Sequence, residues 1–108
     1  MGYNTSYKLH VENPPKGFTK RTLAKIIREN ENMSYALDED GSTQESCKWY
    51  DCDEDMLAIS KKYPEVLFVL SGEGEESGDI WRTYYKDGKM QHAQAIIAFE
   101  SYDPEKME

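Results

Sequence analysis

The residues with most capacity for chemistry sit in one short stretch, Ser71–Asp79, which reads SGEGEESGD. Gly72, Gly74 and Gly78 give it backbone that can reach positive φ, and Glu73, Glu75, Glu76 and Asp79 give it four carboxylates. Glycine loops cradle phosphate through their amides, but these carboxylates repel it unless a cation intervenes, and no G-x-x-x-x-G-K-[ST] pattern is present. A divalent cation could take some of the carboxylates; a solvated acidic loop is the preferred reading, and no metal is expected. A second acidic segment, Asp38–Gly41, invites calcium. Setting Gly41 at the glycine position of an EF-hand loop puts Ala36 and Cys47 at the first and last ligand positions, where neither can serve, so that motif is rejected. Cys47 and Cys52 with His10 and His92 are donors that zinc accepts, but the C-x4-C spacing is loose and the histidines fall on separate strands. Cys47 also shares a face with Trp49, which favours core. No G-x-S-x-G occurs, and neither histidine has a distinctive context. No catalytic residue, cofactor or metal ligand is therefore assigned, and the chain reads as a binder rather than an enzyme.

The charge supports that reading. The chain of 108 residues has 13 basic and 21 acidic side chains, a net −8. Residues 1–37 carry +3, residues 38–79 carry −10, and residues 80–108 carry −1, so the negative charge is a block in the middle. This balance disfavours direct binding to nucleic acid, which needs cations against phosphate, and to anionic membranes. No stretch approaches the roughly 18 apolar residues of a membrane span. No basic start followed by an apolar run opens the chain. A cytoplasmic protein with reduced thiols is expected, with a Cys47–Cys52 disulfide the less favoured alternative.

The elements that must position these residues are legible from periodicity. Tyr3–Glu12 alternates, placing Tyr3, Thr5, Tyr7, Leu9 and Val11 on one face of a strand. Pro14, Pro15 and Gly17 stop it. Thr19 then caps a helix with Phe18 and Leu23 at staple spacing. Leu23, Ile26 and Ile27 form its apolar stripe, and Arg21, Lys25 and Arg28 form a basic one nearly opposite. The helix frays out near Asn30–Asn32. Met33–Leu37 and Gln44–Tyr50 read as two short strands joined by a turn at Asp40-Gly41. A second helix starts at Asp51 or Asp53, with Asp53, Glu54 and Asp55 against the positive end of its dipole and Met56, Ile59 and Tyr63 inward; Pro64 ends it. Val66–Leu70 is apolar throughout and reads as the central strand. Ile80–Lys86 and Lys89–Phe99 make a hairpin about Asp87-Gly88 that pairs Trp81 with Gln94 and Arg82 with Ala93.

The class predicted is α+β: a mixed or antiparallel sheet with two helices on one face, in a ferredoxin-like outline. Residues 1–101 form one domain, and residues 102–108 are a charged, mobile tail. The core is expected to include Leu9, Val11, Leu23, Ile27, Ile59, Phe68, Leu70 and Ile97. Tyr7, Trp49, Trp81, Tyr84 and Tyr85 are read as core and cross-strand pairs in preference to a base-stacking platform.

Trp49, Lys62-Tyr63-Pro64, Val66–Leu70, Glu73–Gly78 and Trp81 together resemble, in type and order, the Api92-like (YubB-type) ferredoxin-like proteins of phages and plasmids. The match runs from Trp49 to Trp81, about a third of the chain, and implies a mobile-element origin more than an activity. Joined to the charge block, it leads to an expected function: an acidic module that mimics nucleic-acid charge and blocks the basic surface of a host nucleic-acid-binding protein. The expected contact residues are Glu73, Glu75, Glu76 and Asp79, then Asp53, Glu54 and Asp55. The alternatives are a nucleic-acid accessory protein using Arg21, Lys25 and Arg28 with the sheet aromatics, and a small metal-dependent enzyme.

Overall fold

The alternation in the first strand and the glycine punctuation after it decide the start of the molecule. A computed structural model describes residues 4–42, 49, 51–75, 78–96, 98 and 101–107. Strand β1 (Thr5–Glu12) buries Thr5, Tyr7 and Leu9 and leaves Lys8 exposed. Helix α1 (Lys20–Glu29) begins at Thr19, whose hydroxyl accepts the Thr22 N–H while the Thr22 hydroxyl accepts the Thr19 N–H. This is a capping box with threonine in the place usually held by glutamate or glutamine. Ile26 and Ile27 are buried, Phe18 and Leu23 pack against the same core, and Arg21, Lys25 and Arg28 are exposed.

The segment after α1 departs from the expectation. Met33–Leu37 is not a strand: Glu31–Ala36 forms a short helix, α2. The reason lies in Asn30. Its N–H closes α1 on the Ile27 carbonyl, and its side-chain oxygen accepts the Met33 N–H at 3.1 Å, so one residue ends a helix and starts the next. Asn30, read as part of a fraying end, is thus a cap. The new helix buries Met33 and Ala36 completely. Most of the second expected strand of that pair, Gln44–Tyr50, lies outside the described residues; Trp49 is buried.

Helix α3 (Cys52–Lys62) has Asp53, Glu54 and Asp55 in its first turn and Lys61 and Lys62 in its last, both favourable to its dipole. Met56 and Ile59 are buried, and Tyr63 closes the helix with its ring edge-on to Phe18 and Phe68. Strand β2 (Leu67–Gly74) begins one residue later than expected and runs four residues further, into the stretch read as loop. Ser71 to Gly74 are strand because all four pair with β1 and Ser71 to Glu73 pair also with β3 (Ile80–Lys86). The glycine at 72 allows close approach: a Cβ there would collide with the Trp81 ring. Of the three loop glycines, only Gly78 takes a positive φ.

Strand β4 (Lys89–Gln94) is shorter than Lys89–Phe99, and Ile97 and Phe99 lie outside the described residues. The hairpin register is the one expected, Lys86 opposite Lys89, Trp81 opposite Gln94 and Arg82 opposite Ala93. Asp87 and Gly88 both take positive φ, as a two-residue type I′ turn requires. The sheet is antiparallel throughout and its strands lie in chain order, β1-β2-β3-β4. The fold is α+β with the helices on one face: the core joins Ile26, Ile27, Met33 and Met56 of the helices to Tyr7, Leu9, Phe68, Leu70 and Tyr85, which share one side of the sheet. After the sheet, Asp103 caps one 3₁₀ turn, Pro104–Lys106.

Candidate functional site

Of the acidic residues named from sequence, Asp53, Glu54 and Asp55 lie in the first turn of α3 and Glu73 near the end of β2. Tyr7 pairs with Gly72, and Gly72 with Trp81, close to where β2 turns into β3. Trp49 packs edge-on to Tyr7 at 5.6 Å, and Tyr7 to Trp81 at 6.1 Å. The Trp49 indole N–H donates to Asp55 Oδ2 at 2.7 Å, in the first turn of α3. Asp55 thus ties the first turn of α3 to β1 through Trp49 and Tyr7, while Asp53 in the same turn reaches Tyr85 near the β3–β4 turn.

These carboxylates differ in how they are held. Glu73 is exposed on β2, between Ser6 and Ile80 on the face away from the helices. Glu75 is exposed, Asp79 is half-buried and its backbone carbonyl accepts the Gly74 N–H, and Glu76 lies outside the described residues. On α3, Glu54 is exposed. Asp53 accepts the hydroxyl of fully buried Tyr85 at 2.6 Å. Asp55 accepts the Asn32 amide at 3.0 Å as well as the Trp49 indole. Asp53 and Asp55 therefore brace the packing of α3, while Glu54, Glu73 and Glu75 face solvent. Sequence reading missed these two braces. Buried Tyr and Trp donors beside an acid-rich helix start are the signal that points to them, since buried polar handles need partners.

Asp38–Gly41 does a structural job. The Leu9 N–H donates to the Gly41 carbonyl at 2.7 Å, which clips the turn to the free edge of β1. Gly41 has φ +90°, and a Cβ there would collide with the Leu9 carbonyl oxygen. Asp40 accepts hydrogen bonds from the hydroxyl and N–H of Ser42, and these hold its carboxyl below the ordinary aspartate value.

Two of the donors weighed for zinc, His10 and His92, lie on opposite edge strands of the sheet. His10 lies on the open face of edge strand β1, bonded to Glu12 at 2.9 Å. His92 lies on the helix-side face of β4 at the opposite edge, 3.0 Å from the Thr83 hydroxyl. Among the described residues no group of three or more His, Cys, Asp or Glu is placed to hold a metal. Cys47 is outside the described residues. Cys52 is half-buried, and burial followed by the charge of Asp53 pushes its thiol up to about 11, away from nucleophile chemistry at neutral pH.

The basic stripe of α1 is partly neutralised, Arg28 by Glu39 at 2.8 Å and Lys25 by Glu29 at 3.9 Å. Of the aromatics weighed as a stacking platform, Tyr7, Trp49, Trp81 and Tyr85 belong to the core or pack against it. Tyr84 alone among them lies on the open face. A hollow of about 730 Å³ runs between β1 and α1, floored by Leu9, Val11, Phe18 and Leu23 with Arg21 at its rim. No helix among the described residues is long and apolar enough to cross a membrane.

No family model matches this chain, and no similar curated protein or solved structure was found.

Proposed function

We propose that the protein is a non-enzymatic binding module that docks its exposed carboxylates on the basic surface of a nucleic-acid-binding protein and blocks its groove. The observation that carries this reading is that Glu54 in the first turn of α3 and Glu73 and Glu75 at the end of β2 are exposed, whereas Asp53 and Asp55 are tied into the packing. The three exposed residues stand on rigid elements or beside them, so the carboxylates present charge at low conformational cost. Charge of one sign on a defined surface speeds encounter with a basic partner and makes the rate salt-dependent. The resemblance to Api92-like proteins adds the setting: a phage or plasmid product acting in the host cytoplasm against a defence or replication protein.

The test is affinity capture from host lysate at low and high salt, with excess nucleic acid as competitor. The expected partner is basic, is lost at high salt, and is displaced by nucleic acid because both occupy one groove. A partner retained in the presence of saturating nucleic acid would exclude groove blocking.

A further inference from the structure

The face of the sheet that the helices leave open has a charge opposite to that of the whole chain. Its side chains include Lys8 on β1, Arg82 and Lys86 on β3 and Lys89 on β4, all exposed. None of these four makes an ion pair within 4.0 Å among the described residues. Two carboxylates share the face: Glu12, bonded to His10 and opposite Leu67, and Glu73, a diagonal neighbour of Lys8 and Arg82 that makes no ion pair with either, so the cations outnumber them. Tyr84 lies on β3 between Arg82 and Lys86 on this face, each about 7 Å from it along the strand. Beside Tyr84 is a hollow of about 430 Å³ whose lining includes Leu67, Tyr84, Lys86, Asp87, Lys89 and Gln91.

We propose that this open face is a docking surface for single-stranded nucleic acid, one unstacked base entering the hollow against Tyr84 while Arg82, Lys86 and Lys89 meet the flanking phosphates. An aromatic ring between cations is the arrangement that holds single strands without sequence preference, through stacking and phosphate neutralisation. The Gln91 amide and the Asp87 carboxylate offer donors and an acceptor to the edge of a base. A duplex keeps its bases stacked and cannot fill the hollow without paying for unstacking. The net −8 opposes binding at long range, but screening at moderate salt confines the reach of each carboxylate to about 10 Å, and at the hollow itself Lys86 and Lys89 outnumber Asp87. This inference does not rest on the role given to Glu54, Glu73 and Glu75.

Fluorescence anisotropy with a labelled single-stranded thymidine oligonucleotide, and with a duplex of equal length, tests it. The single strand should bind more tightly than the duplex, and its affinity should fall as salt rises. The pair Arg82→Ser and Lys86→Ser should flatten the salt dependence by roughly 0.7 in log–log slope for each cation removed. Tyr84→Ser should weaken binding by roughly fivefold or more with an unchanged salt slope, and Tyr84→Phe should restore it. Arg21→Ser with Lys25→Ser, on α1, should change nothing, and circular dichroism should show every variant folded. No binding of the single strand at low salt, or equal loss in the α1 variant, would overturn the proposal. Equal binding of poly-glutamate would also overturn it, by showing a surface for acidic protein instead.

Discussion

Asp55 holds the Trp49 indole N–H at 2.7 Å and the Asn32 amide at 3.0 Å, so its carboxylate is part of the packing between α2, α3 and the buried tryptophan. Asp55→Ala should cost about 1–3 kcal/mol in urea unfolding, because the indole N–H is left unsatisfied. Its neighbour Glu54 is exposed, and Glu54→Ala should stay within about 0.5 kcal/mol. An equal cost for the two would mean that the indole bond contributes nothing. The titration of Cys52 gives a second test. Its folded thiol keeps a proton up to about 11, whereas an unfolded thiol loses it near ~8.5. Stability is then complete below that unfolded value and declines as pH rises toward the folded one, because the unfolded chain releases its proton first. Tyr85 is shifted in the same direction, by burial first and then by its bond to Asp53, and deepens the decline at the alkaline end. Cys52→Ala should flatten the fall in unfolding free energy above pH ~8.5; an unchanged slope would assign the fall to other groups.

At the scale of elements, the parts that were legible from sequence are those with strong local rules. Strict alternation marked β1, the Thr19 cap marked the start of α1, and Asp87-Gly88 set the β3–β4 register residue by residue. The failures came where one residue type serves two structures. Asn30 can unravel a helix or cap one, and here it caps both α1 and α2. Glycine can mark a loop or permit a ring to lie against a strand, and Gly72 does the second. The acidic residues were legible only as composition, since which of them are tied into the packing depends on the bonds of Asp55 to Trp49 and of Asp53 to Tyr85, which no local pattern announces. Gly72→Ala should destabilise by about 1–3 kcal/mol, the cost of overpacking, and should shift the tryptophan fluorescence as Trp81 is displaced. A neutral Gly72→Ala with unaltered fluorescence would contradict the close packing of Trp81 on β2. Asn30→Ala should cost about 1 kcal/mol through the lost cap, read as a lower urea midpoint with unchanged slope.

Over the whole molecule, exposed carboxylates mark the first turn of α3 and the end of β2, and Lys8, Arg82, Lys86 and Lys89 mark the open face of the sheet. Packing explains Asp53 and Asp55 and the Asp38–Gly41 clip, but it makes no use of Glu54, Glu73 or Glu75. Those exposed side chains carry the proposed recognition. The most direct measurement is the association rate of a captured basic partner with the wild-type protein and with a variant carrying Glu54→Ser, Glu73→Ser, Glu75→Ser and Glu76→Ser, at low and at high salt. The account predicts a variant that is folded, associates severalfold more slowly at low salt, and differs less from wild type at high salt. Equal rates at both salt concentrations, with the variant folded, would show that these carboxylates take no part in recognition.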